Sequence, residues 1–231
     1  MPQKYQNLKQ SRKFKKSSQL WLRRQLNDEY VEKAKIMGFR SRASFKIIEI
    51  DEKFKIFKKN KIVVDLGSAP GGWSQYCVDK VGHNNVLAID LLPMPEIAGV
   101  KFLQQDFLAD DAVAKIQQSL KEIPFNSKGL CDVLMSDMAS NTMGDQTTDH
   151  LRIIGLLEEA LDLSLKILKV NGCFIGKIFQ GGSSDLILKK LRGNFSQVRY
   201  FKPQSSRQDS AETYLIATGF KVLLRTDTVI D

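Results

Sequence analysis

The sequence predicts a doubly wound, Rossmann-like α/β fold with a seven-stranded, mostly parallel sheet, an antiparallel last strand and helices on both faces. Three observations carry this. Short, nearly continuous apolar runs alternate with amphipathic stretches along residues 61–221, the pattern of strands buried on both faces and separated by helices. A glycine-rich turn, VDLGSAPGGW (64–73), follows the first run, at the strand end where such folds bind ligands. The last two runs, SQVRYF (196–201) and ETYLIATGF (212–220), are joined by KPQSSRQDSA with no intervening helix, so they pair antiparallel.

Residues 1–17 read as a flexible basic arm, polar and without periodicity. From Ser18 to Met37, Leu20, Trp21, Leu26, Tyr30, Val31 and Ala34 recur at helical spacing, and Gly38 fits a helix stop. Ser41 reads as the N-cap of a second helix with Phe45, Ile48 and Phe54 on one side. IVVDL (62–66) is the first strand, and GGWSQYCVDKV the helix after it. VLAID (86–90) and VKFLQQD (100–106) are the second and third strands. A helix over 109–121 leads to CDVLMSD (131–137). A strongly amphipathic helix from Asp149 to Lys169 ends at Asn171-Gly172, followed by CFIGKIF (173–179) and a helix over 184–193. This divides the chain into the arm, 1–17, and one domain, 18–231. Within the domain lie basic helices (18–60), an α/β core (61–221) and a tail (222–231).

No stretch approaches the ~20 apolar residues of a membrane span, and the N-terminus lacks the apolar region of a secretory signal. Because it is basic, serine-containing and free of acids, an organelle transit peptide stays open. Cys77, Cys131 and Cys173 are odd in number and far apart, which reads as core thiols in a reducing compartment, the cytosol, rather than a disulfide or zinc framework. Residues 1–60 hold 17 Lys/Arg against 6 Asp/Glu, a net of +11, whereas 61–231 hold 18 against 20, a net of −2. An excess confined to the first quarter of the chain points to a polyanion partner. Nucleic acid leads over a membrane surface, because no strongly amphipathic basic stripe is present.

The turn at 64–73 is neither a dinucleotide fingerprint, since Ala69 stands where the second glycine belongs, nor a P-loop, since no Gly-Lys-Ser/Thr closes it. Gly67 and its neighbours then either bring backbone close to a ligand or merely make a tight turn. Asp65, Asp90 and Asp106 stand at the ends of three successive strands. Singly each suits a cap; together they suit a nucleoside. Asp90, 23 residues after Gly67, is placed to accept ribose hydroxyls, and Asp106 beside Phe107 to accept an adenine amine while the ring packs. A ribose, an adenine and no phosphate clamp point to S-adenosylmethionine. The fourth strand ends in Asp137. Lys177 sits inside an apolar strand, costly unless paired or neutral, unless it snorkels to water. Glu212 opens the antiparallel strand at the same rim, and Lys46 on the N-terminal helix closes the ring.

At these residues the chain resembles the FtsJ/RrmJ family of S-adenosylmethionine-dependent ribose 2′-O-methyltransferases. The likeness runs from about Tyr30 to Lys221 through SRASFKIIEI (41–50), VVDLGSAPGGWSQY (63–76), SDMASN (136–141), GKIFQG (176–181) and KPQSSRQDSAETYLIATGF (202–220). It implies a catalytic tetrad at Lys46, Asp137, Lys177 and Glu212, with Lys177 as proton acceptor or hydroxyl-orienting group. It implies cofactor contacts at Gly71, Trp73, Asp90, Asp106 and Asp137, with Gly67, Pro70 and Phe107 beside them. It implies S-adenosylmethionine and no metal, and His83 and His150, the two histidines, show no ligand spacing. The expected substrate is a uridine of the 23S rRNA A loop in the assembled large subunit, acted on by a monomer late in assembly, with no membrane or DNA partner. The departures are Ser68 where alanine is common, the long basic arm, and MGDQTTDH (143–150). Within the family, a tRNA anticodon-loop or an mRNA cap enzyme is the alternative. A non-catalytic ribosome-assembly factor has no need of Lys177 in an apolar strand, and a nicotinamide reductase lacks its loop glycine.

Overall fold

The computed structural model describes residues 26–138, 146–179, 185–207 and 210–221, with backbone only for 146–150. The basic arm, the start of the helix expected from Ser18, the tail 222–231 and residues 143–145 of MGDQTTDH lie outside the described residues.

Two helices lying wholly among the described residues precede the sheet. Helix α1 (Glu29–Ile36) begins at Asp28, whose carboxylate accepts the Tyr30 N–H at 3.1 Å, an ordinary N-cap. Helix α2 (Ser44–Phe54) departs from expectation in two ways. Ala43, not Ser41, holds the N-cap position, and the first turn opens on backbone bonds from Ser44 N to Ser41 O and Phe45 N to Arg42 O, both 3.2 Å. The buried stripe is Ser44, Ile47, Ile50 and Asp51. Phe45, Ile48 and Phe54 flank it, Phe45 packing against Tyr30 and Phe39.

The sheet comprises β1 (Val63–Leu66), β2 (Val86–Asp90), β3 (Val100–Gln104), β4 (Cys131–Ser136), β5 (Leu168–Phe179), β6 (Phe195–Phe201) and β7 (Glu212–Phe220). Among the described residues it is seven-stranded in the order β3-β2-β1-β4-β5-β7-β6. The first five strands in chain order are parallel, and β7 is antiparallel to both β5 and β6. Helices α3 (Gly72–Val81), α4 (Ala112–Lys121), α5 (Gln146–Ile167) and α6 (Asp185–Asn194) complete the chain. The long helix ends at Ile167, before Asn171-Gly172. Asn171 instead takes φ 64° within the β5 run, where the register with β4 shifts.

Two apolar clusters sandwich the sheet. One joins α4, α5 and α6 to Val64, Leu66, Leu87 and Leu134; the other joins α2 and α3 to Val63, Val86, Val133 and Tyr214. Side chains of a strand alternate between faces, and β1 does so with Val63 to one cluster and Val64 to the other. β1 lies between β2 and β4, so the strand order reverses there, and the carboxyl ends of these strands open on a crevice.

Candidate active site

Strand register builds the tetrad. Ser136 pairs with Gly176, so Asp137, one residue past the end of β4, lies beside Lys177, which is still within β5. Across the antiparallel pair Lys177 faces Tyr214 and Phe179 faces Glu212. A period of two puts Glu212 and Tyr214 on one face of β7, and α2 lays Lys46 over that face. The Lys46 ammonium donates to Glu212 at 2.9 Å and stands 3.7 Å from Asp137 Oδ2. Lys177 Nζ donates to the Asp137 carbonyl at 2.5 Å and pairs with its carboxylate at 3.2 Å. Lys177 is buried, 6 % exposed, so it does not snorkel to solvent.

Two side chains that sequence reasoning missed complete the cluster. Tyr214 donates its hydroxyl to Asp137 Oδ1 at 2.6 Å, and Ser206 donates to Glu212 Oε1 at 2.9 Å. The signal for Tyr214 was its place two residues after Glu212 in a strand. For Ser206 there was none, because the β6–β7 loop is placed by tertiary contacts: Glu49 on α2 accepts the N–H groups of Gln204 and Ser205, at 2.5 and 2.9 Å.

The charges balance locally, two ammonium groups against two carboxylates. Burial works to lower the Lys46 ammonium, but Asp137 and Glu212 outweigh it and hold it above the ordinary lysine value. Burial works to raise Asp137, but Lys177, Lys46 and the Tyr214 hydroxyl hold it below the usual carboxylate range. The Tyr214 phenol is driven well up by burial, then by Asp137 and Glu212.

Beside the tetrad lies a cavity of about 430 Å³, lined by Gly67, Ala69, Asp90, Asp106, Phe107 and Asp137 among others, with no lysine or arginine in its wall among the described residues. Asp90 accepts the N–H groups of Ala69 and Leu92, both at 2.8 Å, and Asp106 that of Leu108 at 2.9 Å. Each carboxylate thus holds its own turn and also faces the cavity. Asp106 sits two residues past the end of β3. Gly67 has φ 71°, and a Cβ there would meet Met138 Cγ at 2.3 Å, so glycine is required twice over.

The other predicted positions fall elsewhere. Asp65 is turned into the core, 1 % exposed, accepting from Ser74 Oγ at 2.6 Å; burial raises its carboxyl to about 7. It ties β1 to α3 and lines not the larger cavity but a second, smaller space of about 40 Å³, which shares Gly67, Ala69 and Asp137 with the first. Pro70 and Trp73 line the same smaller space. The Trp73 indole donates to the Ala43 carbonyl at 2.8 Å and packs on Tyr214. Gly71 (φ 102°) caps α3 with its Cβ direction toward Ile97, Met94 and Arg40, and lines neither cavity. The three cysteines are buried free thiols, as expected; burial raises that of Cys173 to about 12.

A Rossmann-like sheet with an inserted antiparallel strand and a carboxylate-lined cavity over its first four strands is built to bind a nucleoside-containing ligand. The chain belongs to the FtsJ-like methyltransferase family, whose model matches residues 39–220. It is 53% identical over 213 residues to the Bradyrhizobium diazoefficiens protein named ribosomal RNA large subunit methyltransferase E, 90% of each chain being covered. It is 49% identical to the Paramagnetospirillum magneticum protein of the same name, with 93% of this chain and 87% of that one covered. A Plasmodium falciparum crystal structure given the provisional name of ribosomal RNA methyltransferase is similar at TM-score 0.68 and 30% identity, covering 79% of this chain and 98% of the other.

Proposed function

We propose that this enzyme methylates a ribose 2′-hydroxyl of large-subunit ribosomal RNA, using S-adenosylmethionine. One observation carries the reading: Asp137 lines the nucleoside-sized cavity and is at the same time the hub of a buried, charge-balanced Lys46–Asp137–Lys177–Glu212 cluster.

The cavity suits the cofactor. Its volume lies within the range of small-molecule sites. Of its three carboxylates, Asp90 and Asp106 are acceptors for ribose hydroxyls and an exocyclic amine, and among the described residues its wall offers no cation for a pyrophosphate. Asp90 and Asp106 would hold the adenosine, with Phe107 packed on the base, and the Gly67–Trp73 turn the amino-acid end. When bound, S-adenosylmethionine supplies an electrophilic sulfonium methyl.

The chain's own residues align and deprotonate the nucleophile. The two lysines are not equivalent. Lys46 is paired to both carboxylates and stays charged, fixing Glu212 and Asp137. Lys177 meets one carboxylate and a neutral carbonyl, and we assign its free amine, formed once its own proton has left to solvent, to receive the ribose hydroxyl proton. Tyr214 holds Asp137 Oδ1, so the Asp137 carboxylate cannot rotate away from Lys177. The basic quarter of the chain, +11 over residues 1–60, is assigned to the RNA phosphates. The close relatives' names favour the large subunit, and our finer assignment is a uridine of the 23S rRNA A loop, acted on by a monomer late in assembly.

The test is incubation with methyl-labelled S-adenosylmethionine and, separately, large subunits, free 23S rRNA and tRNA, followed by mapping of the labelled nucleotide. Label in the large subunit or its RNA, at a ribose, is expected. Label in tRNA alone would overturn the substrate, and label nowhere the enzymatic reading. For Lys177, an active Lys177→Arg variant with an unchanged pH–rate profile would reduce its role to steering.

A further inference from the structure

Ser68, where the family's loop commonly has alanine, carries a hydroxyl with no evident task. The residue is 5% exposed, and its Oγ is buried without a hydrogen-bond partner among the described residues. Its backbone is fixed on both sides, Ser68 N donating to Ile89 O at 3.1 Å and Gly71 N to Ser68 O at 2.6 Å. A buried hydroxyl left unpaired costs about 1–3 kcal/mol, a cost that alanine at this position avoids.

Ser68 lines the smaller space of about 40 Å³, together with Ser41, Pro70, Gly72, Trp73 and Asp137. That space adjoins the larger cavity through Gly67, Ala69 and Asp137 but is not lined by Asp90 or Asp106, and it is roomy enough for a small polar group. Gly72 keeps it open, since a Cβ there would meet Ser41 Oγ at 2.4 Å and Ser44 Oγ at 2.7 Å.

We propose that the Ser68 hydroxyl hydrogen-bonds the charged amino-acid end of the methyl donor, giving this chain a cofactor contact that an alanine loop lacks. The inference rests on S-adenosylmethionine being the cofactor. Its consequence is selective. A bond to a charged group is the stronger kind, and only ligands with an amino-acid end make it.

The test is calorimetric titration of wild type and Ser68→Ala with S-adenosylhomocysteine and with methylthioadenosine, which keeps the nucleoside and thioether but lacks the amino acid. Ser68→Ala is expected to weaken S-adenosylhomocysteine binding about 10-fold or more while leaving methylthioadenosine affinity unchanged. The ligand-free variant is expected to melt no lower than wild type. Equal losses for both ligands, or no loss for either, would overturn the proposal. A wild type that binds neither nucleoside would instead overturn the cofactor assignment itself, an outcome distinct from any behaviour of Ser68.

Discussion

Asp137→Asn tests the charge balance of the tetrad. Asp137 is the acidic partner of Lys177 and lies 3.7 Å from Lys46, whereas Glu212 serves Lys46 alone at 2.8 Å. Neutralising Asp137 leaves Lys46 paired but strands the Lys177 ammonium, 6% exposed, beside a carbonyl and a neutral amide. Breaking a buried pair by removing one partner costs about 3–5 kcal/mol. For a domain of this size the loss lowers Tm by roughly 6–20 °C. Thermal and urea unfolding of Asp137→Asn, Lys177→Met and the double variant measure it. Asp137→Asn should be strongly destabilised. Adding Lys177→Met should restore most of the stability and none of the activity. An Asp137→Asn variant within about 1 kcal/mol of wild type, or a double variant less stable than Asp137→Asn alone, would refute the charge-balance argument.

Three further outcomes follow from other parts of the site. Asp65 has a folded-state carboxyl raised to about 7 from 3.8, so the folded state binds the extra proton and stability falls as pH rises between those values. Asp65→Asn, which keeps an acceptor for Ser74, should flatten that fall, worth on the order of 4 kcal/mol, as read from urea midpoints across pH 4–8. Arg40 donates to the carbonyls of Pro70, Pro95 and Glu96, at 3.2, 2.6 and 2.5 Å, strapping the loop after β2 to the glycine turn. Arg40→Ala should raise the cofactor KM by about 3–10-fold with kcat little changed, since the strap acts on the cavity wall and not on the tetrad. Gly67→Ala, with φ 71° and Met138 Cγ 2.3 Å from the new Cβ, should abolish measurable nucleoside binding in the same titrations while the protein still folds, as checked by circular dichroism.

The sequence by itself determined the sheet and the chemistry of its strand ends. Buried parallel strands must be apolar on both faces, so their ends are where polar residues become conspicuous. Asp90, Asp106, Asp137 and Lys177 stood out for that reason. Glu212 was legible because a loop without a helix forces an antiparallel return to the same rim. Local signals failed where several elements compete for one residue. Ser41 has the right chemistry for an N-cap, yet backbone bonds open α2 three residues later. Asp65 has the look of a ligand group, yet an odd step along β1 turns it into the core toward Ser74. Only the tertiary structure decided that β7 is inserted between β5 and β6, which sets Tyr214 against Lys177. It also decided that Glu49, 155 residues from Gln204 in the chain, places Ser206 on Glu212, and that Arg40 ties the loop after β2 to the glycine turn. Such contacts join residues with no periodicity in common; their partners are set by how helices and loops pack over the sheet, and one-dimensional spacing carries no trace of that.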